Sequence, residues 1–194
     1  MANANAAFGF RPVNRDGSPY NGATVRCVFP AADTTAAFIG DAVLLGGSSD
    51  TGYPTVTQAT GGDTGGIYGV VTSFEANPDG LGDQYRKAST KRFCQVATAV
   101  NTYFEVQSDD DTTALAEASV GLNANLTVGS GDTTYGISAM ELDSSTVSTT
   151  NTLDLQVAAL VDREDNLLSG TGSTNKNAIV QFNIPQSKPG RTGA

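Results

Sequence analysis

The chain has 194 residues, 11 Lys and Arg against 20 Asp and Glu, no His, no Trp and two Cys. Without His there is no Ser-His-Asp or Cys-His nucleophile, no His-ligated zinc and no imidazole acid–base pair, and two cysteines build neither a zinc site nor a disulfide framework. A net charge of −9 argues against nucleic acid as a partner, and 16% charged residues with 22 Gly describe a polar, weakly charged surface.

In chain order, residues 1–20 read as an extended arm. Met1–Ala7 is small and polar, with neither a basic n-region nor an apolar run of secretory type, so a soluble chain made in the cytoplasm is expected. Phe8-Gly9-Phe10-Arg11-Pro12-Val13 then sets two aromatics beside Gly and Pro, before the turn Asp16-Gly17-Ser18-Pro19. Aromatics in a segment without periodicity need a surface, either the protein's own edge or another subunit. Residues 21–185 read as a β-rich body, with strands over Ala23–Phe29, Ala37–Leu45, Ile67–Phe74, Phe93–Ala99, Thr102–Gln107, Leu122–Val128, Ile137–Leu142, Leu153–Val161 and Ala178–Ile184. Cys27 and Cys94 are expected as reduced, half-buried thiols, although pairing stays open. One short helix is predicted over Thr113–Ser119, capped by Asp109-Asp110-Asp111-Thr112 and stopped by Gly121. A split into two subdomains would fall near residues 100–120, and 186–194 form a Pro/Gly/Lys/Arg tail. No segment reaches the ~20 apolar residues of a membrane span. The fold class is all-β, a compact antiparallel barrel or sandwich with one short helix and the arm.

The candidate chemistry is thin. Gly61-Gly62-Asp63-Thr64-Gly65-Gly66 lacks the Lys-Ser/Thr ending of a P-loop and precedes a strand, so it reads as a hairpin loop. Asp162-Arg163-Glu164-Asp165-Asn166 places Leu167 where a calcium loop needs Gly. Carboxylate-based glycoside hydrolysis stays formally open, but with no Trp platform the reading is that the protein is not an enzyme, with no catalytic residue, metal or cofactor. Gly62-Asp63-Thr64 with Tyr68-Gly69-Val70 echoes Gly131-Asp132-Thr133 with Tyr135-Gly136-Ile137, either a duplication or two similar hairpin turns. Arg86, Lys87, Lys91 and Arg92 cluster in seven residues, readable as a contact patch or as a solvated loop. Residues 105–165 hold twelve acids against Arg163 alone, while the segment through Phe29 holds Arg11, Arg15 and Arg26 against Asp16. That separation suits docking by a basic arm beneath an acidic outer face.

The opening Met-Ala-Asn-Ala-Asn-Ala-Ala-Phe-Gly-Phe-Arg-Pro-Val resembles the start of small structural proteins of tailed bacteriophages. Gly40-Asp41-Ala42-Val43, Ile67-Tyr68-Gly69-Val70, Thr102–Gln107 and Ser138–Asp143 extend the likeness over most of the chain. The family is that of capsid decoration, or cement, proteins, and the lambda-type head-decoration proteins are similar at greater distance. The resemblance implies a β-tulip-like body and an arm that orders on the capsid. It also implies a place on the outer surface of the virion, with the major capsid protein and neighbouring copies of the chain (dimer or trimer) as partners, and neither nucleic acid nor membrane. Phe8, Phe10, Arg11, Arg15 and Tyr20 are then the capsid-contact candidates, with Arg86, Lys87, Lys91 and Arg92 as a second patch. The chain departs by being longer, its acidic second half being the additional material. The other class the residues allow is a receptor- or glycan-binding β-module of a phage tail or fibre.

Overall fold

Period-two patterning does put the chain into strands, and the strands divide into two curved sheets. The computed structural model describes residues 2–50, 52–63, 66–77, 80–111, 113–171 and 173–186. After the edge strand β1 (Arg11–Val13) come β2 (Val25–Phe29), β3 (Ala42–Asp50), β4 (Tyr53–Gln58), β5 (Gly69–Phe74) and β6 (Arg92–Thr98). These last five close a barrel in the order β2-β4-β3-β5-β6. Neighbours pair antiparallel except at the β2–β4 contact, where Val28 and Thr55 run parallel. Inside it Cys27, Phe29, Val43, Val56, Val71, Cys94 and Val96 form one buried cluster.

Ala99–Thr102 carries the chain into the second sheet. There β7 (Tyr103–Gln107), β8 (Asn123–Val128), β9 (Met140–Ser148), β10 (Leu155–Leu160) and β11 (Asn177–Phe182) are ordered β1-β7-β11-β10-β8-β9. The sheet curls until Leu142 of β9 bridges Ser108, just past β7, so its two ends nearly meet. A second cluster fills it and reaches back to Ala42, Ala59, Ile67, Val70 and Ala97 of the barrel, so the two sheets share apolar core. The all-β expectation holds.

Several elements differ from the sequence reading, among them β9, which runs Met140–Ser148 where a strand over Ile137–Leu142 is expected. β4 carries Pro54 between Gly52 and Val56, and proline weakens a strand pattern although it is tolerated at strand ends and irregularities. β3 runs to Asp50, past a register shift at Leu45–Ser49, beyond the apolar stretch that marked it. Of the predicted helix only a 3-10 turn at Glu117–Ser119 forms. The reason is local competition: Asp110 accepts from Ser108 Oγ, the Leu115 amide and the Asn175 amide, tying a loop to the neighbouring strand instead of capping a helix. Thr112 lies outside the described residues, as do Thr64, Gly65 and residues 187–194 of the predicted tail. Pro185 and Gln186 are bound to the body: Pro185 bridges Ile67, and the Gln186 amide donates to the Ile67 carbonyl. The two Gly-Asp echoes are structurally unlike, since Tyr68 is buried whereas Tyr135 is 65% exposed on a tight turn.

Candidate functional site

The arm is extended, as expected, but it lies against the body. Asn3 exchanges side-chain hydrogen bonds with the backbone of Leu167, Gln107 holds Ala4 and Ala6, and β1 pairs with β7 from Arg11–Glu105 to Val13–Tyr103. Phe10, expected to face a partner, is 1% exposed, its ring 5.3 Å from Phe182, which in turn packs 5.1 Å from Phe104. That placement corrects Phe10 as an outward anchor, and it lays the arm along the body. An aromatic with an open core slot beside it is worth more inside than out.

Between the two phenylalanines, Gly9 (φ +71°) meets Gly40 (φ +97°) and Ser138 so closely that a Cβ on Gly9 would lie 2.5 Å from Ser138 Cβ and 2.6 Å from the Gly40 carbonyl oxygen. Phe10 N–H donates to that carbonyl at 2.8 Å. The left-handed backbone and the lack of space both demand glycine here. Next to it Asp41, buried, accepts from the Phe38 amide and from Gln58 Nε2, each at 2.8 Å. Burial holds its carboxyl above the usual range despite those bonds. The Phe-Gly-Phe, Gly-Asp and Ser138 segments, scattered in sequence, therefore meet at one junction of arm, barrel and curled sheet.

Beside that junction opens a groove of about 500 Å³, whose walls include Phe8, Arg11, Tyr20, Ile39, Val71 and Ile137. Phe8 is half-buried there under the Arg11 guanidinium, 4.7 Å from its ring centroid. Arg11 is exposed and only 4.0 Å from Glu105, and Arg15 is exposed above Tyr103. Tyr20 is half-buried, its hydroxyl donating to the Ala23 carbonyl. Phe8, Arg11 and Tyr20 thus line the groove with the buried Phe10 behind them, while Arg15 borders a separate cleft with Glu105 and Arg163. Sequence reading missed Ile39, Ile137 and Tyr135, because their exposure follows from a turn at 131–137 crossing onto the barrel, where Ile39 bridges Ile137. The one available signal was the pair of glycines, Gly40 and Gly136.

The second patch divides. Arg86 is 0% exposed, and its guanidinium donates to the carbonyls of Pro30, Asp33, Thr35 and Thr90 over the Phe29 ring. Arg92 is also buried, donating to Glu75, Tyr85 and Asp83 carbonyls. Both are corrected from contact residues to struts, because a planar five-donor fork can gather loop carbonyls that no strand satisfies. Lys87 and Lys91 stay exposed, Lys87 paired with Asp83 at 2.8 Å. Cys27 and Cys94 face each other across β2 and β6, free and fully buried rather than half-buried. Burial pushes the Cys27 thiol up to about 11.

Among the described residues no three His, Cys, Asp or Glu side chains come together to hold a metal ion. No protein-family model, curated protein or solved structure matches the chain.

Proposed function

We propose that this chain is a structural virion protein that sits on the outer surface of a tailed-phage head and bridges major capsid subunits, with its arm face as the contact. The observation that carries the reading is that exposed Arg11 lines an apolar groove built jointly by arm, barrel and curled sheet, with Arg15 exposed further along the same arm. In a chain of net charge −9, a cationic rim beside apolar side chains favours an acidic, partly apolar protein surface. Phe8 and Ile137 supply the apolar contact, Arg11 and Arg15 the charge, and Lys87 with Lys91 remain for a second contact. Neighbouring copies on the shell, as dimers or trimers, would be held in place by the same lattice. The role is mechanical, with no catalytic step and no nucleic acid.

Co-sedimentation of the purified chain with heads assembled from the major capsid protein tests this. The native chain should pellet with heads, and the Arg11→Glu, Arg15→Glu double variant should stay in the supernatant while melting like the native protein. Equal pelleting of both, or none of either, refutes the reading.

A further inference from the structure

A second cavity, polar where the groove is apolar, lies under the other side of the arm. It measures about 290 Å³, at the small end of the roughly 300–1,000 Å³ of ligand sites, and its floor is Glu105 of β7 and Asn177 of β11. Several of its polar side chains are committed to structure. Asn3 is bound to Leu167, Gln107 to the arm, and Asn166 to the Val161 carbonyl and the Asn177 amide. What remains for a ligand is a different set. Asn177 reaches Glu105 Oε1 only at 3.4 Å, and its buried Oδ1 accepts from no described residue. Arg163 pairs with Glu105 at 2.8 Å and with Asp165 at 3.0 Å, yet its side chain is 41% exposed and Asp165 is 74% exposed. Ala6 and Phe8 of the arm give one apolar wall.

We propose that this cavity binds one neutral sugar unit. Its charges cancel, Arg11 and Arg163 against Glu105 and Asp165, which gives an ion of either sign no advantage. An orphaned buried acceptor calls for a donor, while the outer guanidinium nitrogens call for acceptors. A hydroxyl is both at once, and adjacent hydroxyls on a ring match the paired atoms of carboxylate, amide and guanidinium groups. The ring's C–H face meets Phe8. The proposal adds a ligand site that shares Phe8 and Arg11 with the apolar groove, while Asn177 and Asp165 line only the polar cavity and allow the two readings to be tested apart.

Saturation-transfer difference NMR on the full chain, with millimolar methyl glycosides of glucose, galactose, mannose and N-acetylglucosamine as probes, is the test. Transfer to the ring protons of at least one probe is expected. Asn177→Ala and Asp165→Ala should each weaken it roughly tenfold, the worth of one charge-assisted or buried hydrogen bond, while Lys91→Ala changes nothing. Melting curves confirm that each variant is folded. No transfer from any probe, or transfer unchanged in Asn177→Ala, overturns the proposal. Co-sedimentation of Asn177→Ala with heads should match the native chain, which keeps the two readings separable.

Discussion

Replacing Phe10 by alanine separates a docked arm from a loose one. The ring is 1% exposed and packs, tilted, 5.3 Å from Phe182, which is itself tilted against Phe104. A buried phenylalanine removes about 150–250 Å² from water, which at about 25 cal/mol per Å² amounts to about 4–6 kcal/mol. Alanine retains part of that, and measured Phe→Ala changes in cores cost about 3–5 kcal/mol. Taking about 4 kcal/mol, and about 2–4 °C per kcal/mol for a chain of this size, Phe10→Ala should lower Tm by about 8–16 °C in a calorimetric scan. Phe8→Ala, two residues away but half-buried at the groove, should cost under about 1.5 kcal/mol. Hydrogen exchange supplies the independent check, because Phe10 N–H is bonded to the Gly40 carbonyl and should be protected in the native protein and exposed in Phe10→Ala. A Phe10→Ala loss below about 1 kcal/mol, or equal losses for the two variants, would refute the docked arm.

Gly9→Ala should destabilise at least as much as a lost cap or contact, about 2 kcal/mol or more by urea unfolding, because its Cβ meets Ser138 and the Gly40 carbonyl in a left-handed backbone. Arg86→Ala strands four carbonyls and should cost about 3 kcal/mol or more, whereas Lys87→Ala should leave the denaturant midpoint unchanged. Ellman's reagent should find no reactive thiol in the native protein and two in denaturant, since both Cys side chains are buried and burial raises both pKa values. Burial raises the carboxyls of Asp41, Asp154 and Glu141, with the Asp109–Asp111 charges adding to the rise at Glu141. In the window between ordinary carboxylate values and these raised ones the native state binds more protons than the unfolded chain, so these three groups make stability fall as pH rises. Thermal scans should therefore show Tm rising as pH falls through that window, and Asp154→Asn should flatten the rise.

The strands were legible because alternation reports which face meets the core, and β7 shows both the rule and its limit: Phe104 and Val106 face the core, while Glu105 and Gln107 on the other side are buried as well, Gln107 under the arm. Register and closure were not legible, since the parallel Val28–Thr55 contact that closes the barrel joins strands with no local signal between them. The candidate site was half legible. Phe8 and Phe10 look equivalent in sequence, and only the position of Gly9 against Gly40 and Ser138 sends one ring into the core and leaves the other at the groove. Arg86 and Lys87 are adjacent cations, but three of the four carbonyls that bury Arg86 come from a loop some fifty residues earlier. Charge clustering along a chain says nothing about such partners.

A docked arm changes what the proposed bridging would require. A loose arm loses about 1–2 kcal/mol of backbone freedom for each residue it orders on a partner, so its contacts must first offset that loss. Here β1 pairing, the Phe10 slot and the Gly9 junction have already ordered the segment during folding, and contact energy at Phe8, Arg11 and Arg15 is then free to appear as affinity. The gain comes with a limit on reach. Residues fixed against the body cannot extend to a distant subunit, so any bridge must be made by the body standing over a junction between two partners. The groove's composition fits that demand, because its walls come from the arm, from Val71 in the barrel and from Ile137 on the turn before β9. On this argument a truncation of residues 1–12 cannot leave an intact body lacking only its contact; it should remove the floor of the groove and lower stability together, and a truncated chain that melts like the native one would contradict it.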